Sequence, residues 1–131
     1  MNTKTVMIIS ALFLGVLGIT LSFFTQEVDA YLNNGSNTTS TLFLQLLGAL
    51  YLGFAIMNWM AKDTRIGGIY NRPIAIGNFM HFGVGALALI KIVSKVELNQ
   101  KIIIVLAIVY SIFALCFAFI FRINPKMDIK K

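Results

Sequence analysis

Four stretches of this chain carry no Asp, Glu, Lys or Arg: residues 5–24, 30–61, 73–90 and 102–121. An α-helix rises about 1.5 Å per residue and the hydrocarbon core of a bilayer is about 30 Å thick, so about 20 apolar residues cross it. A closed β-barrel is the other structure that satisfies its backbone in lipid, but its strands alternate apolar and polar residues over about ten positions. These stretches do not alternate. The sequence therefore predicts an all-α integral membrane protein, one membrane domain over residues 1–131, with spans near 5–24, 41–61, 73–93 and 102–121. Composition agrees, with 58% hydrophobic and 12% charged residues and a mean hydropathy of +0.83. A soluble domain carries about 25% charge. A soluble globular enzyme and a disordered chain are both excluded.

Between the spans lie an outer loop at 25–40, a loop at 62–72 and a turn after Val93, and a basic tail follows at 122–131. Lys and Arg in short loops set orientation. Lys4, Lys62, Arg65, Arg72, Arg122, Lys126, Lys130 and Lys131 fall on one side, and Lys91, Lys95 and Lys101 on the other. This asymmetry predicts an antiparallel four-helix transmembrane bundle with both termini cytoplasmic. Compact loops and Asn-, Ile- and Lys-rich composition point to a bacterial inner membrane. Lys4, the following apolar run and Val28-Asp29-Ala30 outline a signal peptide, but the run of about 20 residues exceeds the usual 7–15, so a retained helix is expected. The sequons Asn34-Gly35-Ser36 and Asn37-Thr38-Thr39 read as turn chemistry in the outer loop. The net charge of +6 sits at helix ends, where it meets anionic lipid, and forms no basic stripe interleaved with aromatics. No nucleic-acid partner is expected.

Small residues let helices approach closely in lipid, and polar side chains hydrogen-bond between them. Each span offers such residues at spacings of three and four: Ala11, Gly15, Gly18 and Ser22; Gln45, Gly48, Ala55 and Asn58; Asn78, His81 and Gly85; Ala107, Ser111, Ala114 and Ala118. These faces are predicted to form the interior, leaving Leu, Ile, Phe and Val to lipid.

His81 is the one ionisable group well inside a span, about 12 Å along the helix from Pro73. Asn58, Asn78 and Tyr51 fall near its depth, with Trp59 at the interface. Together they outline a pocket between spans two and three for a small hydrophobic or lipid-like ligand. The competing reading makes His81 a neutral residue hydrogen-bonded inside the bundle. A single His and a single Cys, Cys116, make no metal site, haem site or dithiol relay, so no metal or cofactor is expected. No carboxylate lies inside a span to carry a proton relay or to complete a catalytic triad.

The richest polar chemistry runs from Asn58 to Asn78. Asn71 is placed to cap the third span, with Pro73 in its first turn. Lys62, Arg65 and Arg72 surround that helix start and outline a site for an anionic headgroup. The same residues also meet the ordinary requirements of a positive-inside loop. The sequence as a whole predicts a non-enzymatic accessory or scaffold protein acting through membrane lipids, another membrane protein or self-association. The alternative is a binder or transporter using the His81 pocket.

Overall fold

The computed structural model describes residues 2–33, 35, 37–64 and 71–122. Among these residues there are five helices and no strand: α1 (Thr3–Phe23), α2 (Thr25–Asn33), α3 (Thr38–Ala61), α4 (Arg72–Val93) and α5 (Gln100–Arg122). Four of them, α1, α3, α4 and α5, are long and apolar enough to cross a membrane. Their 21, 24, 22 and 23 residues correspond to about 32–36 Å at helical rise. The chain divides into two compact units, residues 4–61 and residues 1–3 with 62–131.

In the unit that holds α1, α2 and α3, the segment expected as a loop at 25–40 contains a helix. Phe24 N–H donates to the Thr20 carbonyl (3.0 Å), and Val28 N–H to that of Phe24 (3.0 Å), so helical bonding runs almost unbroken from α1 into α2. Thr25 Oγ1 donates to the Leu21 carbonyl (2.6 Å), taking up an acceptor that the end of α1 leaves open. The third helix starts at Thr38, three residues before the expected 41, because Asn37 caps it: Asn37 Oδ1 accepts from Thr39 N–H at 2.9 Å. In the second sequon, read as turn chemistry, Asn37 is thus a helix cap and Thr38 and Thr39 open α3. Asn34 and Ser36 of the first sequon lie outside the described residues.

α1 and α3 are packed backbone to backbone at two glycines. A Cβ on Gly18 would lie 3.0 Å from the Gly48 carbonyl oxygen and 2.9 Å from Leu52 N, and one on Gly48 would lie 2.9 Å from Ser22 N. Gly15 faces Ala55 with ordinary clearance, 3.7 Å to its Cβ. Further along, Asn58 Nδ2 donates to Ser10 Oγ at 3.0 Å. The partners therefore run in opposite order along the two helices, 10 with 58 and 22 with 48. Two expectations need correction. Gln45 is exposed beside Thr38 and Thr41 at the polar start of α3, and Met7 and Leu14 of α1 are buried although large.

In the other unit, α4 and α5 form a helical hairpin. Asn71 occupies the N-cap of α4, with Pro73 in the first turn as expected, but the cap is made through the backbone: its carbonyl accepts from Ile74 N–H (3.2 Å) and Ala75 N–H (3.4 Å). The turn to α5 ends at Asn99, whose φ of 61° lies in the left-handed region that Asn tolerates. The buried face of α5 is Ala107, Tyr110, Phe113, Phe117 and Ile120, with Ser111, Ala114 and Ala118 only half-buried beside it. This corrects the small-residue expectation for the fourth span. The small residues sit on α4 instead. A Cβ on Gly85 would lie 2.6 Å from ring atoms of Tyr110, so the missing side chain is the space the phenol ring fills.

Candidate functional site

The residues expected to line a pocket are divided between the units, Tyr51, Asn58 and Trp59 in one and Asn78 and His81 in the other. In α3, Asn58 is fully buried and reaches Ser10 of α1. The Ser10 hydroxyl donates onward to the Met7 carbonyl at 3.0 Å, which closes a chain of donors within the helix pair. An interhelical hydrogen bond of this kind contributes about 0.6 kcal/mol in a membrane, with an upper range of about 1–2. Tyr51 lies seven residues earlier on α3 and is half-buried; Trp59 is 48% exposed.

In α4, Asn78 is fully buried and its Nδ2 donates to the Ile74 carbonyl at 2.9 Å, one turn back on its own helix. His81, three residues on, is half-buried among aromatic rings. Its imidazole stands edge-on to Phe82 (centroids 5.0 Å apart, 74°) and tilted against Tyr110 (5.8 Å, 45°). Phe82 is the hub of that cluster, stacked on Phe113 at 4.7 Å and on Phe117 at 5.8 Å and edge-on to Tyr110 at 5.2 Å. Ring pairs in these geometries contribute about 0.5–1.5 kcal/mol each beyond burial. Sequence reasoning missed the three α5 members. Their signal was the spacing 110, 113, 117, which puts three aromatic rings on one helical face.

Of the residues expected to hold an anionic headgroup, Lys62 lies 3.9 Å from Asp63 Oδ2. Arg72 is exposed in the first turn of α4. Arg65 lies outside the described residues, as do Gly67, Gly68 and Tyr70.

A carboxylate with four donors was not among the expected sites. Asp29 of α2 accepts from Asn33 Nδ2 (2.6 Å), Asn37 N–H (2.7 Å), Thr41 Oγ1 (3.2 Å) and the Ser40 hydroxyl. Four donors on one carboxylate tie α2 to the first turn of α3, where the positive end of the helix also favours an anion. The side chain is buried, covered by these partners. The Ser40 hydrogen bond, then the Asn37 amide, hold the Asp29 carboxyl below the usual carboxylate range, against a smaller opposing effect of desolvation. A depressed pKa stabilises the fold above the unfolded value of about 3.9, and that contribution is lost as pH falls through the folded value. Hydrogen exchange, corrected for intrinsic rates, is therefore expected to show lower protection at residues 38–41 near pH 3 than near pH 6. Asp29→Asn is expected to abolish that difference. Equal protection at both pH values in the wild type would show that the carboxylate does not hold this junction.

Among the described residues no three of His, Cys, Asp and Glu come together in a group able to hold a metal ion. Cys116 is a half-buried free thiol. Comparison of the chain with protein-family models, with curated proteins and with solved structures finds no match, so the assignment of a role rests on the four apolar helices and on how each unit uses its polar groups.

Proposed function

We propose that this protein is a non-enzymatic accessory or scaffold component of a bacterial inner membrane, folded as an antiparallel four-helix bundle with both termini cytoplasmic, and acting through helix faces that meet lipid or a partner helix. One observation carries the reading. Three polar side chains of the apolar helices hydrogen-bond inside a helix pair or their own helix: Asn58 to Ser10, Asn78 to the Ile74 carbonyl, and Ser111 to the Ala107 carbonyl at 2.7 Å. Large apolar side chains are exposed on the same helices, among them Val16, Ile56, Val84 and Leu115. Such a division of labour suits a protein recognised by its outer faces.

The second reading, a binder or transporter of a lipid-like ligand lined by His81, Asn78, Asn58 and Tyr51, draws support from two wholly buried carboxamides, Asn58 and Asn78, within apolar helices. One experiment separates the two. Benzoylphenylalanine is placed at Ile56 or Val84 for photo-cross-linking in cells, and His81→Gln is tested for complementation of a deletion. The scaffold reading expects a discrete adduct with one membrane protein or a second copy, and full complementation by His81→Gln at normal abundance. Lipid adducts alone, together with failed complementation, would replace it with the binder.

A further inference from the structure

The α4–α5 hairpin carries an open apolar groove of about 350 Å³. Ile90 and Val93 of α4 and Ile104, Ile108 and Ile112 of α5 form its walls. Its floor is Ala107, which is buried, and Ser111, which is half-buried. The Ser111 hydroxyl donates to the Ala107 carbonyl at 2.7 Å, so its proton is spent inside the helix. From Ile104 to Leu115 the groove follows three turns of α5, about 16 Å. One end of it lies at the turn between the two helices. Lys91, Lys95 and Lys101 are all exposed there, against Glu97 as the carboxylate of that segment.

We propose that this groove binds an anionic phospholipid, with one acyl chain along α5 and the phosphate against Lys91, Lys95 and Lys101. The proposal rests on the membrane reading of the four helices and names a lipid class for one of its faces. The groove alone accepts any acyl chain, since lipid tails are as apolar as its Ile side chains. Selection comes from the lysines, because each basic residue near the headgroups adds attraction for an anionic lipid. A partner helix suits the groove poorly. Helices in membranes meet through small residues, whereas the rims here are β-branched isoleucines that keep a second backbone away. The apolar notch around Gly53 on α3, lined by Leu50 and Phe54, is the contrast: it lies within the charge-free run 30–61 and has no means of choosing a headgroup.

The test is native mass spectrometry of the full chain released from mixed micelles of phosphatidylglycerol and phosphatidylcholine. The wild type is expected to retain phosphatidylglycerol about tenfold over phosphatidylcholine. Lys91→Gln, Lys95→Gln and Lys101→Gln together should remove that preference, and Ser111→Phe, which fills the groove, should lower the bound lipid of either kind. Gly53→Leu, in the notch on α3, should leave the preference intact. The proposal is overturned if the preference survives the lysine variant. It is also overturned if benzoylphenylalanine at Ile108 captures a protein helix instead of lipid. The exposed lysine changes keep the test decisive even where Ser111→Phe misfolds. A wild type that stays monodisperse without amphiphile would defeat the membrane reading itself. One that needs amphiphile but holds both lipids equally would defeat the lipid site alone.

Discussion

Replacing Gly48 by leucine lowers the thermal midpoint in detergent far more than Leu87→Ala on α4, a side chain that is 70% exposed. The first Cβ already fails to fit: it would lie 2.6 Å from Ser22 Oγ, 2.9 Å from Ser22 N and 3.1 Å from the Gly18 carbonyl oxygen. A hydroxyl turns aside, but backbone atoms move only if the whole of α1 moves away from α3. Overpacking of a core costs about 1–3 kcal/mol where side chains take up the strain, and here two helix backbones must take it, so a loss of about 3 kcal/mol is expected. Lipid offers no hydrophobic force to press the helices back together. Gly53→Leu on the same helix is the matched control, because nothing lies within 4 Å of its added Cβ. Scanning fluorimetry of the three variants in one detergent reads the result. Equal midpoints for Gly48→Leu and Gly53→Leu would remove the close contact between α1 and α3.

Phe82→Ala is expected to be the most damaging truncation in the α4–α5 hairpin. The ring is fully buried and meets Tyr110, Phe113 and Phe117 at centroid distances of 5.2, 4.7 and 5.8 Å. Removing a buried Phe from a water-solvated protein costs about 3–5 kcal/mol, of which one part is transfer and the other is the cavity left behind. In lipid the transfer part shrinks, so a loss of about 3 kcal/mol is expected, mostly lost ring contact and cavity. Phe79→Ala, one turn away and exposed, serves as the reference. Steric trapping or thermal unfolding in bicelles measures the difference, and a loss no greater than that of Phe79→Ala would mean that the aromatic stack does not hold the hairpin.

The spans were legible because exclusion of charge from lipid acts on each residue singly. Lys4, Lys62, Arg72, Lys91, Lys101 and Arg122 mark the ends of the apolar runs, and the helices end within a few residues of them. Within the spans, the stripe of α1 and α3 was half legible. Gly18, Gly48, Ala55 and Asn58 form the close contact, while Gln45 does not, because the polar start of α3 supplies it with a polar setting. The candidate pocket was legible only as a list of polar residues at similar depth. A list of that kind does not say whether Asn78 bonds its own helix or another, and the Ile74 carbonyl one turn back is always within reach.

Taken alone, the order of residues decided that the chain is helical and apolar over four spans, where they begin and end to within a few residues, and which loops are basic, since solvation and helical rise are properties of each segment by itself. The tertiary structure decided the pairings. It put the large rings of Tyr110, Phe113 and Phe117 on the buried face of α5, where small residues were expected, and set Tyr110 against Gly85, the small residue expected on the interior face of α4. It also placed a helix, Thr25–Asn33, within the segment 25–40 and tied it through Asp29 to the start of α3. Complementarity of shape and of donors belongs to two segments at once, and neither segment's own sequence specifies its partner.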